Sequence, residues 1–165
     1  MVPVSVSTAV PWGQFEVLEP DLAERIRLRF ESHIHAVLAT LRRDGSPRVS
    51  GMEAPIRDGH LWLGMMSDSL KAADLLRDPR FSLHSSLDTE ELPFGDARID
   101  GRAVAATPEE VDVFVAGHRM PIEDPGAMVL FTARISRATL TRVEGQELVI
   151  QVWTPSDGLR EIRRS

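Results

Sequence analysis

Three residues of this chain have types and spacing suited to holding an anion: Arg48, Ser69 and Lys71. Ser69 ends Ser67-Asp68-Ser69, a cluster of cap-forming residues placed before Leu70 to Arg77 (LKAADLLR), which has helical propensity and pattern. A helix N-terminus offers free backbone N–H groups and the positive end of the macrodipole. A hydroxyl and an ammonium added there, with an arginine on a neighbouring strand, make a site suited to a phosphate monoester. The same spacing also fits a plainer arrangement, in which Ser69 only caps the helix and Lys71 is solvated.

Other chemistries find less support. The chain has no cysteine, which excludes disulfides, thiolate metal sites and cysteine nucleophiles and suits a reducing compartment. The five histidines (His33, His35, His60, His84 and His118) lack metal-ligand spacing, so no metal site is expected. There is no G-x-S-x-G elbow and no Walker-type loop. A net charge of −6 argues against a nucleic-acid surface, which needs clustered Lys and Arg. No apolar run approaches the ~20 residues that span a bilayer, and residues 1–11 do not read as a signal peptide. The expectation is a soluble cytoplasmic protein with no membrane partner.

The elements that must position these residues follow from the periodicity. The 165 residues fit one domain, preceded by an extended, Pro-, Ser- and Val-rich arm over 1–13. Leu18, Leu22, Ile26 and Phe30 recur four apart and predict an amphipathic helix with an acidic first turn at Asp21. Ala36 to Leu41, Arg48 to Ile56 and His60 to Met66 then read as three antiparallel strands, joined by turns at Asp44-Gly45 and Asp58-Gly59. After the helix at 70–77, stopped by Asp78-Pro79, come strands at Phe81–Ser86 and Arg98–Ala106, with a polar loop over 87–96 between them. Thr107-Pro108-Glu109-Glu110 starts a helix running to about Ala116. A loop over 117–127 leads to a final hairpin, Ala127–Val143 and Gln146–Thr154. About seven strands with hairpin connections predict a mainly β protein, an antiparallel barrel with peripheral helices.

The stretch LATLRRDGSPRVSGMEAPIRDGHLWLGMMSDSLKAADLLRDPRFSLHS resembles the pyridoxamine 5'-phosphate oxidase-like, FMN-binding split-barrel family. The resemblance rests on an ordered set: a DG-containing hairpin, a DG-x-LW turn and strand, S-x-K opening a helix, and L-x-x-DPR leading into the next strand. It covers residues 30–86 well, and the rest by strand order. It implies a split barrel over 14–165 and a homodimer with the cofactor at the subunit interface. It implies that Arg48 contacts the phosphate or ribityl chain, with Val49, Ser50 and Gly51 flanking the rings. Met65 and Met66 would form a wall beside Ser67, with Ser69 and Lys71 on the phosphate. Gly51 and Gly64 would either allow close backbone approach or mark bulges. His84 and Ser85 are further candidate wall or partner contacts.

The family's oxidases carry a Trp followed by Arg-Leu-His-Asp-Arg. Here Trp153 is followed by LREIRR, with no histidine, which sets vitamin B6 oxidation aside. The residues Arg160–Arg164 read mainly as a solvated end. The implied function is hydride transfer to or from an unidentified small molecule by FMN or, alternatively, the deazaflavin coenzyme F-420. The Arg-rich, Lys-poor composition suggests a high-GC genome, which leaves the second open, and a longer anionic tail would suit extra arginines such as Arg42, Arg43 or Arg48. A non-catalytic flavin carrier or sensor and a scaffold dimer without cofactor are the rivals.

Overall fold

The computed structural model describes residues 9–87 and 94–165. In chain order they form strand β1 (Val10–Pro11), helices α1 (Trp12–Leu18) and α2 (Pro20–Glu31), and strands β2 (His35–Leu41), β3 (Pro47–Glu53), β4 (Ile56–Arg57) and β5 (His60–Met66). Helix α3 (Leu70–Arg77), strands β6 (Arg80–His84) and β7 (Asp96–Ala105) and helix α4 (Pro108–Ala116) follow. Strands β8 (Met128–Glu144), β9 (Glu147–Thr154) and β10 (Gly158–Arg164) complete the chain. Every strand pair is antiparallel, and the expected mainly β split barrel with peripheral helices is the architecture found.

The barrel turns on β8, whose 17 residues serve three partners along one edge. Met128–Thr132 pair with β5, Arg134 and Ile135 with β1, and Ala138–Glu144 with β9. The other edge of β8 pairs with β7, and the ladder continues through β6 and β2 to β3. There it stops. Strand β3 lies beside β5, yet no ladder joins them, so the barrel is open along this seam.

Turn chemistry sets the hairpins that flank the seam. Asp58 and Gly59 both have positive φ (55° and 75°), the type I′ geometry that matches strand twist in a two-residue loop. The β7–β8 ladder shifts register between Asp100 and Gly101. A β-carbon on Gly101 would sit 2.1 Å from the Arg134 carbonyl oxygen, so only glycine fits this bulge.

The core fills the barrel and the face under α1 and α2. Trp12 meets Phe15 edge-on with centroids 5.4 Å apart, and Phe15 packs on Trp153 at 4.7 Å. Leu22, Ile26 and Phe30 form the buried stripe of α2. A second, smaller cluster of Trp62, Phe114 and Leu130 lies under α4.

Some boundaries depart from expectation. Of the arm expected over 1–13, residues 1–8 lie outside the described residues; Val10-Pro11 pair with β8, and a helix already begins at Trp12. Pro20, with no N–H to continue a helix, divides α1 from α2, so Leu18 belongs to α1 and is exposed rather than joining the stripe. Residues 88–93 of the acidic loop also lie outside the described residues. The C-terminal residues expected as a solvated end are exposed, and they also form β10, paired residue for residue with β9. Arg163 ties this strand to its neighbours by ion pairs to Glu144 of β8 and Glu147 of β9, and little apolar alternation marks it.

Candidate functional site

Strand alternation sorts the β3 side chains. Arg48, Ser50 and Met52 share a face with their cross-strand partners Thr40, Leu38 and Ala36, and α3 packs on β2 there. Val49, Gly51 and Glu53 point to the other, exposed face. Because β3 is the edge strand, both sets reach the seam.

Helix α3 starts at the seam. Ser69 is its N-cap, with Oγ accepting the Ala72 N–H at 3.3 Å. Lys71, the only lysine of the sequence, reaches across and donates from Nζ to the Gly51 carbonyl at 3.0 Å. Asp74 is buried on the inner side of the same helix. Its Oδ2 accepts from Arg48 Nε at 2.7 Å and Thr40 Oγ1 at 2.8 Å, and its Oδ1 from Arg77 at 3.2 Å. Burial pushes the Asp74 carboxyl up, but the hydrogen bonds from Arg48, Thr40 and Arg77 more than reverse this and hold it below its ordinary value.

Two clefts meet at Ser69 and Lys71. One, of about 350 Å³, is lined by Arg42, Arg48, Val49, Ser50 and Leu70 together with that pair. The other, of about 410 Å³, has a mostly apolar wall of Gly51, Met52, Gly64, Met65, Met66, Phe114 and Met128, with His35, Glu53 and His118 at its polar margin. A cationic recess and an apolar slot therefore share one wall. The Ser50 hydroxyl is buried beside the recess with no hydrogen-bond partner among the described residues. These donors and this slot fit a flavin phosphate ester: cations and helix N–H groups at one end, a flat apolar wall at the other.

Eight of the nine expected site residues line one cleft or both: Arg48, Val49, Ser50, Gly51, Met65, Met66, Ser69 and Lys71. Ser67 lines neither; it is exposed, and its N–H donates to the Ala127 carbonyl at 3.0 Å. His84 and Ser85 line none of the clefts at the seam. The Ser85 hydroxyl receives the Ala97 N–H, and His84 Nε2 lies 3.7 Å from Asp96. Neither glycine marks a bulge, because the ladders run in register through Gly51 and Gly64.

Four residues at or behind the seam were not anticipated: Thr40, Asp74, Phe114 and His118. Asp74 left one sign, an acid between Ala72 and Leu75 on the apolar stripe of α3. Phe114 and His118, whose rings are 5.4 Å apart, come from the distant α4 and the loop after it. His118 Nδ1 lies 2.6 Å from the Met120 carbonyl oxygen and 3.3 Å from the Met120 backbone nitrogen, so the loop after α4 fixes the ring.

A sequence profile described as pyridoxamine 5'-phosphate oxidase matches residues 22–146. The chain belongs to the pyridoxamine 5'-phosphate oxidase family. No curated protein matches it in sequence. Among solved structures it is similar to PhzG from Burkholderia lata 383, in complex with tetrahydrophenazine-1-carboxylic acid (14% identity, 94% of this chain and 93% of that one, TM-score 0.68). A pyridoxamine 5'-phosphate oxidase-related, FMN binding protein from Nostoc punctiforme is similar at 12% identity, over 96% of this chain and 99% of that one, with TM-score 0.63. A heme binding protein from Mycobacterium smegmatis shares the fold at 18% identity, 86% and 87% coverage and TM-score 0.60. At these identities the likeness is one of fold. Among the described residues no helix is long and apolar enough to cross a membrane.

Proposed function

We propose that the open seam binds a flavin-type cofactor, FMN, by its phosphate, and that the protein is an oxidoreductase acting on a small molecule as a homodimer. One observation carries this reading: the cationic recess and the apolar slot join at Ser69 and Lys71. FMN, when bound, supplies the hydride acceptor or donor. Arg48, Lys71, the Ser69 hydroxyl and the first-turn N–H groups of α3 hold the phosphate dianion. Gly51 and Met65 border the rings, and Phe114 and Met128 close the slot against water. His35, Glu53 and His118, at the slot's margin, are the side chains placed to take or give a proton.

The outer face of the seam supports the homodimer. Val49 and Val37 are 66% and 42% exposed on adjacent strands, with Gly51 directly opposite Val37. Such an apolar edge is covered most simply by a second copy of the chain. Arg42 extends the recess beyond Arg48, which keeps coenzyme F-420, with its longer anionic tail, as the alternative cofactor.

Titration of the purified protein with FMN, followed by quenching of flavin fluorescence, tests the reading. The double variant Arg48→Ala/Lys71→Ala is expected to lose about 2–4 kcal/mol of FMN affinity. Unchanged affinity would remove the phosphate site. Turnover of the loaded protein with an electron acceptor separates an enzyme from a flavin carrier.

A further inference from the structure

We propose that Asp74 is the positioning residue that holds the Arg48 guanidinium ready for the cofactor phosphate, an inference that rests on the reading of the seam given above. A carboxylate beside a phosphate site is a Coulombic disadvantage, and burying it adds a desolvation cost. Asp74 is buried with Ala72 and Leu75 on the inner side of α3, a position where an apolar residue is the usual occupant. The placement makes sense through what the carboxylate grips. Thr40 and Arg48 are direct cross-strand partners, and Asp74 Oδ2 accepts from both, so one oxygen ties α3 to β2 and β3 together. The Arg77 guanidinium on Oδ1 leaves the cluster with two positive charges against one negative.

The atom engaged on Arg48 matters most. Asp74 takes Nε, the inner nitrogen of the planar fork. Among the described residues the two Nη nitrogens have no other partner, and Arg48 lines the recess beside Ser69 and Lys71. Fixing Nε sets the plane of the guanidinium while leaving its outer edge, which can donate two parallel hydrogen bonds, for a phosphate. Without Asp74 the side chain would have to be ordered by the ligand itself, at an entropic cost charged against binding.

Riboflavin, the same ring and ribityl chain without the phosphate, makes the inference testable apart from activity. The dissociation constants of FMN and riboflavin are measured for wild type, Asp74→Asn and Arg48→Lys. Asp74→Asn is expected to weaken FMN about tenfold while moving riboflavin less than about twofold. Arg48→Lys keeps Asp74 neutralised and guards against loss of fold in the first variant. An ammonium drawn to Asp74 has no planar fork to present two parallel donors to the phosphate, so Arg48→Lys should lose the FMN preference nearly as fully as Arg48→Ala. An Arg48→Lys protein with wild-type preference would overturn the proposal, because a bare charge would then suffice. So would a folded Asp74→Asn protein that keeps that preference. If wild type itself failed to distinguish FMN from riboflavin, the seam reading would fall, and this inference with it.

Discussion

The barrel has one tightly laddered side and one open one. Along β7 and β8 ten residue pairs run in register around a single bulge, with Gly101 against the Arg134 carbonyl. Between β3 and β5 there is no ladder at all. The same backbone chemistry therefore has opposite fates: on the closed side N–H and C=O groups satisfy each other, and on the open side the edge of β3 leaves groups for something else to satisfy. Lys71 already takes one of them, the Gly51 carbonyl. The two clefts open where the ladder is interrupted, because there the main chain is left for side chains or a ligand to reach.

Two glycines give the sharpest way to break this contrast. A β-carbon on Gly101 would collide with backbone, whereas one on Gly51 would meet nothing within 4 Å. Gly101→Ala is expected to cost more than about 3 kcal/mol of stability in chemical denaturation. Gly51→Ala should change stability by less than about 1 kcal/mol while lowering FMN affinity, since its methyl enters the seam. Equal stability losses at the two positions would mean that the seam is as constrained as the closed side.

Local chemistry explains what could be read from residue order. Strand β5 and helix α3 have the bounds expected from periodicity and capping, because Asp-Gly turns and a Ser N-cap act within a few residues. Ser69 and Lys71 sit within one helical turn, so their meeting needed no tertiary knowledge. Arg48 joined them because the expected hairpins put its strand beside the one that leads into α3, and the family resemblance then implied its contact to the phosphate or ribityl chain. Asp74 could not be foreseen, because its partners Thr40 and Arg48 are 34 and 26 residues away. Phe114 reaches the slot only through the docking of α4 on Trp62 and Leu130. Strand β10 escaped because it is exposed and charged, with Arg163 paired to Glu147 of β9, and carries little apolar alternation.

The outer face of the seam gives the next effect in size. If a second copy covers Val49, Val49→Asp places an uncompensated charge in that contact and should shift the protein to monomer, seen by sedimentation velocity. FMN affinity should fall with it, because the site lies at the same edge. A variant that stays dimeric would show that the copies pair through another surface.

A pH series distinguishes the buried ion cluster from a passive salt bridge. The Asp74 carboxyl is held below its unfolded value, so its stabilising contribution is present at neutral pH and drains away as pH falls through the folded pKa. Wild type is therefore expected to be more stable than Asp74→Asn at pH 7, with the gap beginning to close below about pH 4, where the carboxyl of the unfolded chain starts to protonate. Denaturant midpoints across that range give the answer. A gap that persists undiminished in strong acid would mean that Asn fails sterically, not for want of charge.

The smallest effect belongs to the other ion cluster, at the far end of the sheet. Arg163 touches Glu144, Glu147 and Glu161, as many carboxylates as Asp74 has donors, yet it is exposed. In water each of these pairs is screened and costs side-chain entropy, so number does not translate into strength. Arg163→Gln should lower the melting midpoint slightly at low ionic strength, and the difference should vanish at about 1 M salt, where the Debye length is about 3 Å. Asp74→Asn, by contrast, should keep its deficit in the same salt, because buried pairs are screened far less. If both deficits disappeared together, burial would not be what separates the two clusters. Asp74 would then be one more surface pair, and Arg48 would owe its place in the recess to the strand alone.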